Sequence, residues 1–122
     1  MNNYIFIILK KNLYRLDLSK DDIELTELFT NDFEFVNVLF NNSSKRLYAI
    51  TQEKIMSENV LKAEYNLVSI NNDKLIPQYK VGHEVEGIFV PDSHNMICLS
   101  CVNYANYPHS VRKIFFFREI DL

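Results

Sequence analysis

The sequence predicts an all-β domain, and three observations support this prediction. The chain contains 9 Phe and 7 Tyr but only 2 Gly and 3 Pro in 122 residues, and aromatic and β-branched residues favour pleated sheet. Short runs of strand-forming residues alternate with polar turn residues along the whole chain. A unit of roughly 50 residues also recurs, so residues 1–122 are expected to form a single domain of about 2.5 repeats.

The repeat is visible when residue numbers are shifted by a constant. Adding 50 to the run from Glu34 to Ile50 aligns Glu34 with Glu84 and Val38-Leu39-Phe40 with Ile88-Phe89-Val90. Upstream, a shift of 52 aligns Leu16 with Val68 and Leu18 with Ile70. A third, partial copy closes the chain, where Tyr65, Leu67 and Ile70 correspond to Phe115, Phe117 and Ile120.

Each copy contains up to four predicted strands, here called a to d, separated by polar turns. Read in this way, the chain runs b-c-d, then a-b-c-d, then a-b-c. The predicted strands lie near residues 4–9, 13–18, 23–29, 34–40, 46–51, 64–70, 75–81, 84–90, 96–102 and 113–120.

A unit of about 50 residues with four short strands resembles a β-propeller blade, and L13-Y-R-L-D-L18 followed by a polar turn is similar to the third strand of such a blade. No Trp-Asp or kelch-type signature accompanies the likeness. It implies two to three antiparallel four-stranded sheets in an incomplete propeller. The unpaired sheet edges would be sealed by the chain itself or by homo-oligomerisation.

An α+β fold is the alternative. Ser19 and Asp22 match a helix-capping pattern before residues 20–31, but the equivalent run of the next copy contains Pro77, which a helix interior disfavours by about 3 kcal/mol. A helix is expected at 52–63 instead, because apolar residues recur there at helical spacing. These residues are Ile55, Met56, Val60 and Ala63.

Charge and hydropathy narrow the class of partner. A net charge of −3 and a pI near 5.6 argue against a nucleic-acid binder, which needs a basic face. The apolar run Tyr4–Leu9 is too short for an export signal, and no run approaches the roughly 20 residues that span a bilayer. We therefore expect a cytoplasmic protein that binds no membrane and whose cysteines stay reduced.

The sequence contains no recognisable catalytic, cofactor-binding or metal-binding motif. Cys98 and Cys101, with His94 and His109 nearby, have the residue types of a zinc site. A strand would place the two cysteines on opposite faces, however, and no glycine provides the turn of a zinc ribbon. We expect no cofactor and no metal, and we expect the chain not to be an enzyme.

A protein-binding surface is the stronger prediction. Two tyrosines in the polar run N103-Y-A-N-Y-P-H-S110 could supply contact area at low entropic cost. In a propeller-like stack the b-to-c and d-to-a connections meet at one end, which groups several acidic residues. The predicted partner-binding residues are Asp32, Glu53, Glu58, His83, Glu84, Tyr104, Tyr107 and His109.

In its small size, its acidic charge and its lack of catalytic motifs, the chain resembles the immunity proteins of bacterial contact-dependent growth inhibition and other polymorphic toxin systems. This resemblance implies a cytoplasmic toxin inhibitor that binds and neutralises one cognate toxin, often a basic nuclease. A structural subunit that completes a propeller-like assembly by oligomerisation is the alternative. An enzyme that uses Cys101, His83 or His109 is a third reading.

Overall fold

The structure, a computed structural model, describes residues 4–19, 25–30, 33–71, 74–82, 84–90, 95–103 and 111–122. Ten strands in this part of the chain form three antiparallel sheets, with a short 3-10 turn at the end. The strands are β1 (Tyr4–Leu9), β2 (Asn12–Asp17), β3 (Leu25–Thr30), β4 (Glu34–Asn41), β5 (Arg46–Ser57), β6 (Val60–Asn71), β7 (Lys74–Val81), β8 (Glu84–Phe89), β9 (Met96–Asn103) and β10 (Val111–Arg118), and the 3-10 turn is Glu119–Asp121.

The predicted all-β class is confirmed, and so is the predicted division of the strands. The first sheet has the order β1-β2-β3, the central sheet β4-β5-β6-β7 and the third sheet β10-β9-β8. The three sheets thus correspond to b-c-d, a-b-c-d and a-b-c, and among the described strands four belong to the central sheet and three to each of the others.

The helix predicted at 52–63 is wrong. This segment contains the ends of β5 and β6, which pair in register from Gln52 and Tyr65 to Ser57 and Val60. Glu58 and Asn59 connect them with φ values of 51° and 62°. Positive φ at both central residues is the requirement of a type I′ hairpin turn, which Asn tolerates well. The helical spacing of apolar residues was therefore coincidental over this short segment.

The helical alternative for residues 20–31 also fails where the structure describes the segment, because Leu25–Thr30 is a strand. Its counterpart β7 contains Pro77, which pairs with Val68 at the edge of the central sheet. An edge strand tolerates proline because one side of its backbone needs no partner. A register shift directly follows Pro77, leaving Gln78 as the extra residue.

The three sheets stack face to face, and the central sheet is covered on both sides. One side carries Tyr48, Ile50 and Leu67, which pack with Ile97 and Leu99 of the third sheet. The other carries Ala49 and Val68, which pack with Leu13 of the first sheet. The central strands therefore have apolar residues on both faces, as strands buried on both sides require.

β-Bulges recur at corresponding places in different sheets. In β4 the register shifts between Phe35 and Asn37, and in β8 it shifts between Val85 and Gly87, 50 residues later. A second pair of shifts follows Leu13 in β2 and Leu67 in β6. The second pair differs by 54 residues, two more than the offset of 52 read from the sequence there. Since strand side chains alternate with period two, this difference leaves inward and outward positions unchanged.

Candidate protein-binding surface

One end of the stack collects several connections between strands. The strand ends that flank the β1–β2, β3–β4, β5–β6 and β7–β8 links lie there, because neighbouring strands are antiparallel and each sheet begins next to the end of the preceding one. A backbone hydrogen bond from Phe35 N to the carbonyl oxygen of Lys10, 2.7 Å long, joins the β1–β2 connection to the start of β4. We call this end of the molecule the arm end.

A two-stranded hairpin projects from the arm end. The pairing of β4 with β5 stops at Gln52, and the pairing of β6 with β7 stops at Tyr65. Residues 53–64 consequently pair only with one another within the described chain. We call residues 53–64 the arm. No described strand pairs with either edge of the arm, and open strand edges are the feature through which strands recruit another chain.

The arm presents apolar side chains to solvent near its tip. Met56 lies directly opposite Leu61 in the register, and their exposed fractions are 65% and 59%. Val60, beside the turn, is also exposed. An isolated two-stranded hairpin is at best marginally stable in water, and clustered exposed apolar groups commonly mark an interaction site.

Charges around the base of the arm are mixed in sign. Glu53 shares a shallow depression of about 270 Å³ with Lys11, Glu34, Gln52 and Lys54. Across the hairpin, Glu53 lies opposite Glu64. The Glu64 carboxylate forms a 2.9 Å ion pair with the Lys80 ammonium group. Acidic groups at this end are thus interspersed with lysines, so charge alone does not define the surface.

Glu84 lies at the start of β8 and is the third predicted residue placed at the arm end, with Glu53 and Glu58. Its carboxylate acts on the pKa of Tyr65. The Tyr65 hydroxyl accepts a 3.3 Å hydrogen bond from Gln52 Nε2. Burial, with a smaller contribution from the Glu84 carboxylate, raises the pKa of Tyr65. The remaining predicted partner-binding residues, Asp32, His83, Tyr104, Tyr107 and His109, lie outside the described residues.

The two cysteines occupy opposite faces of β9, as their spacing in a strand predicted. Cys101 packs in the core against the central sheet, whereas Cys98 lies on the outer face, between Phe89 and Phe116 on the adjacent strands. Both thiols are free and buried. Burial raises the pKa of each, with a smaller effect of Glu86 on Cys101, so both are held in the protonated, weakly nucleophilic form.

A buried carboxylate at the opposite end of the stack was not anticipated from the sequence. Glu119 accepts hydrogen bonds from Asn41 Nδ2, from Ser44 Oγ at 2.8 Å and from the hydroxyl of Tyr48 at 2.7 Å. Its backbone carbonyl accepts a further bond of 3.2 Å from Arg46. These contacts tie the end of the third sheet to the β4–β5 turn of the central sheet. Glu119 lies more than 70 residues from each donor, and no local sequence signal marks it.

Further observations delimit the site. Within the residues that the structure describes, no three His, Cys, Asp or Glu side chains are grouped as metal ligands. No helix in the described ranges has the length and apolar character needed to cross a membrane. Comparison with family models, with curated proteins and with solved structures finds no match to this chain.

Proposed function

We propose that this chain is a cytoplasmic protein-binding domain that neutralises a cognate toxin, and that the arm makes the central contact. The observation that carries the proposal is the projection of residues 53–64 beyond the sheet, with Met56 and Leu61 side by side and exposed. An exposed apolar pair on a hairpin with two open edges fits a cleft in another protein, where it contributes apolar area and backbone hydrogen bonds.

Charged residues surround the exposed apolar pair of the arm, so we expect polar groups around the rim of the partner's binding cleft. Glu53 and Glu58 flank the apolar pair, and Lys54 lies among them. Rim charges mainly set the rate and specificity of association, whereas desolvated apolar groups supply most of the affinity. Raised salt should therefore slow association with a basic toxin without dissolving the complex.

Co-expression tests the proposal. The tagged chain is produced with the protein encoded immediately upstream and purified by affinity and size exclusion at low and high salt. We expect a stoichiometric complex with the wild-type chain and its loss with the double substitution Met56→Asp and Leu61→Asp. The matched control is Ile120→Asp, because Ile120 is 85% exposed and lies at the opposite end.

Two outcomes would contradict the proposal. Retention of the complex by the arm variant would exclude the arm as the contact. Absence of a complex, together with a co-expressed protein that does not impair growth by itself, would remove the toxin–inhibitor relation.

A further inference from the structure

The stack ends on both sides in an exposed apolar sheet face. On the third sheet, the outer face carries Phe89, Cys98, Ile114 and Phe116, and Phe116 is 59% exposed. No described element packs on this face, whereas the opposite face of the same sheet is in the core.

The charged groups of this outer face are confined to its margins. Glu86 and Arg112 form an ion pair of 3.5 Å at the arm end, and Arg118 and Asp121 form one of 2.9 Å at the other end. Their mutual pairing leaves an apolar centre around Phe116, which makes the face suitable for burial.

The outer face of the first sheet carries a row of apolar side chains, with the polar residues Glu27 beside Tyr14 and Asn12 beside Leu9. The register places Ile5 beside Leu16 and Leu16 beside Leu25 on this face, while Leu9 lies further along β1. Ile5, Leu9 and Leu25 are each about half exposed. Contiguous apolar patches of this kind on a small domain mark interaction surfaces.

The internal packing of the chain shows what each outer face matches. The β4–β5 and β8–β9 registers coincide after a shift of 50, which brings Tyr48 onto Cys98 and Ile50 onto Ser100. Tyr48 and Ile50 lie on the face of the central sheet that the third sheet covers. The outer face of the third sheet is therefore the counterpart of a face that receives a following sheet.

The outer face of the first sheet corresponds to the complementary packing surface. The bulges that follow Leu13 and Leu67 bring Tyr14, on the outer face, onto Val68. Val68 lies on the face of the central sheet that packs against the preceding sheet. The outer face of the first sheet is thus the counterpart of a face that packs against a preceding sheet.

We propose that the outer face of the third sheet binds the outer face of the first sheet of a second copy of this chain. The contact would repeat between molecules the packing that joins successive sheets within one molecule. It joins two different faces, so it is head-to-tail, and repetition gives either a closed ring or an open filament. It uses sheet faces, not the sheet edges that the sequence suggested, and it does not depend on the proposed toxin binding.

Complementation between two variants tests the interface. Phe116→Asp places a charge on one face and Ile5→Asp places a charge on the other, each at an exposed position. We expect the wild-type chain to associate beyond the 14.4 kDa monomer and each variant alone to be monomeric by light scattering after size exclusion. An equimolar mixture should form a heterodimer, because each variant keeps the face that the other lacks.

The controls separate this contact from misfolding and from toxin binding. Ile114→Asp and Leu9→Asp form a second pair that should reproduce the result, and circular dichroism must show an unchanged fold. Met56→Asp on the arm should leave the association intact. A wild-type chain that stays monomeric up to millimolar concentration would overturn the proposal. Folded variants that fail to form a heterodimer when mixed would also overturn it. An Ile5→Asp chain that keeps the oligomeric mass of the wild type would overturn it too, because this result indicates a symmetric contact that does not use the first sheet.

Discussion

Removal of the Tyr48 hydroxyl tests whether the buried network around Glu119 holds the central and third sheets together. Tyr48 is fully buried and donates a 2.7 Å hydrogen bond to the Glu119 carboxylate. A hydrogen bond to a charged group contributes about 1.5–3 kcal/mol. Glu119 keeps its donors Asn41 and Ser44 in the variant, so we expect Tyr48→Phe to cost about 2 kcal/mol.

The assay is thermal and urea unfolding at fixed protein concentration. For a domain of this size, a loss of about 2 kcal/mol corresponds to a decrease in Tm of roughly 6–10 °C. The matched control is Tyr79→Phe, because Tyr79 is partly exposed and packs by its ring on Phe115 and Phe117. If Tyr48→Phe and Tyr79→Phe differ by less than about 0.5 kcal/mol, the network does not stabilise the fold.

Three further predictions concern pH, the arm turn and the core. Burial, and then the hydrogen bond to Glu119, raises the pKa of Tyr48 from 10.0 to about 12. As pH rises, the unfolded chain therefore loses the tyrosine proton before the folded chain does. In urea unfolding, the stability advantage of the wild type over Tyr48→Phe should be full below pH 10 and fall by on the order of 2 kcal/mol by pH 12. The double substitution Glu58→Asn and Asn59→Gly should raise the free energy of unfolding by about 0.5–1 kcal/mol, because Asn and Gly adopt the positive φ of the type I′ turn at lower cost. A lower Tm would indicate that this turn is not formed. Leu67→Ala should cost about 2–5 kcal/mol because Leu67 is fully buried, whereas Leu61→Ala on the arm should cost under about 0.5 kcal/mol, and equal losses for the two would contradict the described packing.

Much of the fold was predictable because strand signals in this chain are local. Alternating or continuous apolar runs bounded by polar turns predicted β1, β4 and β9 within a residue or two of their observed limits. The opposite faces of Cys98 and Cys101 followed from the period of a strand alone. The grouping of the strands as b-c-d, a-b-c-d and a-b-c followed from the spacing of equivalent strands, although it left the number of sheets at two to three.

The arm was mispredicted because its turn signal is weak. Glu58-Asn59 is not among the strongest hairpin sequences, which place Gly after Asn or Asp. Without that signal, Ile55, Met56 and Val60 fit a helical face as well as two strands. The extra length of β5 and β6 could not be predicted either, since none of the described neighbouring strands extends alongside residues 53–64.

The Glu119 network and the outer faces depend on tertiary placement. Glu119 meets Asn41 and Tyr48 only after the sheets have stacked, and Phe116 is exposed because none of the described sheets covers it. The strand pattern K113-I-F-F-F-R118 is apolar on both faces. A pattern of this kind indicates burial on both sides but does not say which chain provides the second layer.

Growth protection is the most direct test of toxin neutralisation through the arm. Cells producing the protein encoded immediately upstream would also express the wild-type chain, the Met56→Asp and Leu61→Asp variant, or the Ile120→Asp control, at matched levels. We predict normal growth with the wild type and the control, and arrested growth with the arm variant. Full protection by an equally abundant, folded arm variant would contradict it.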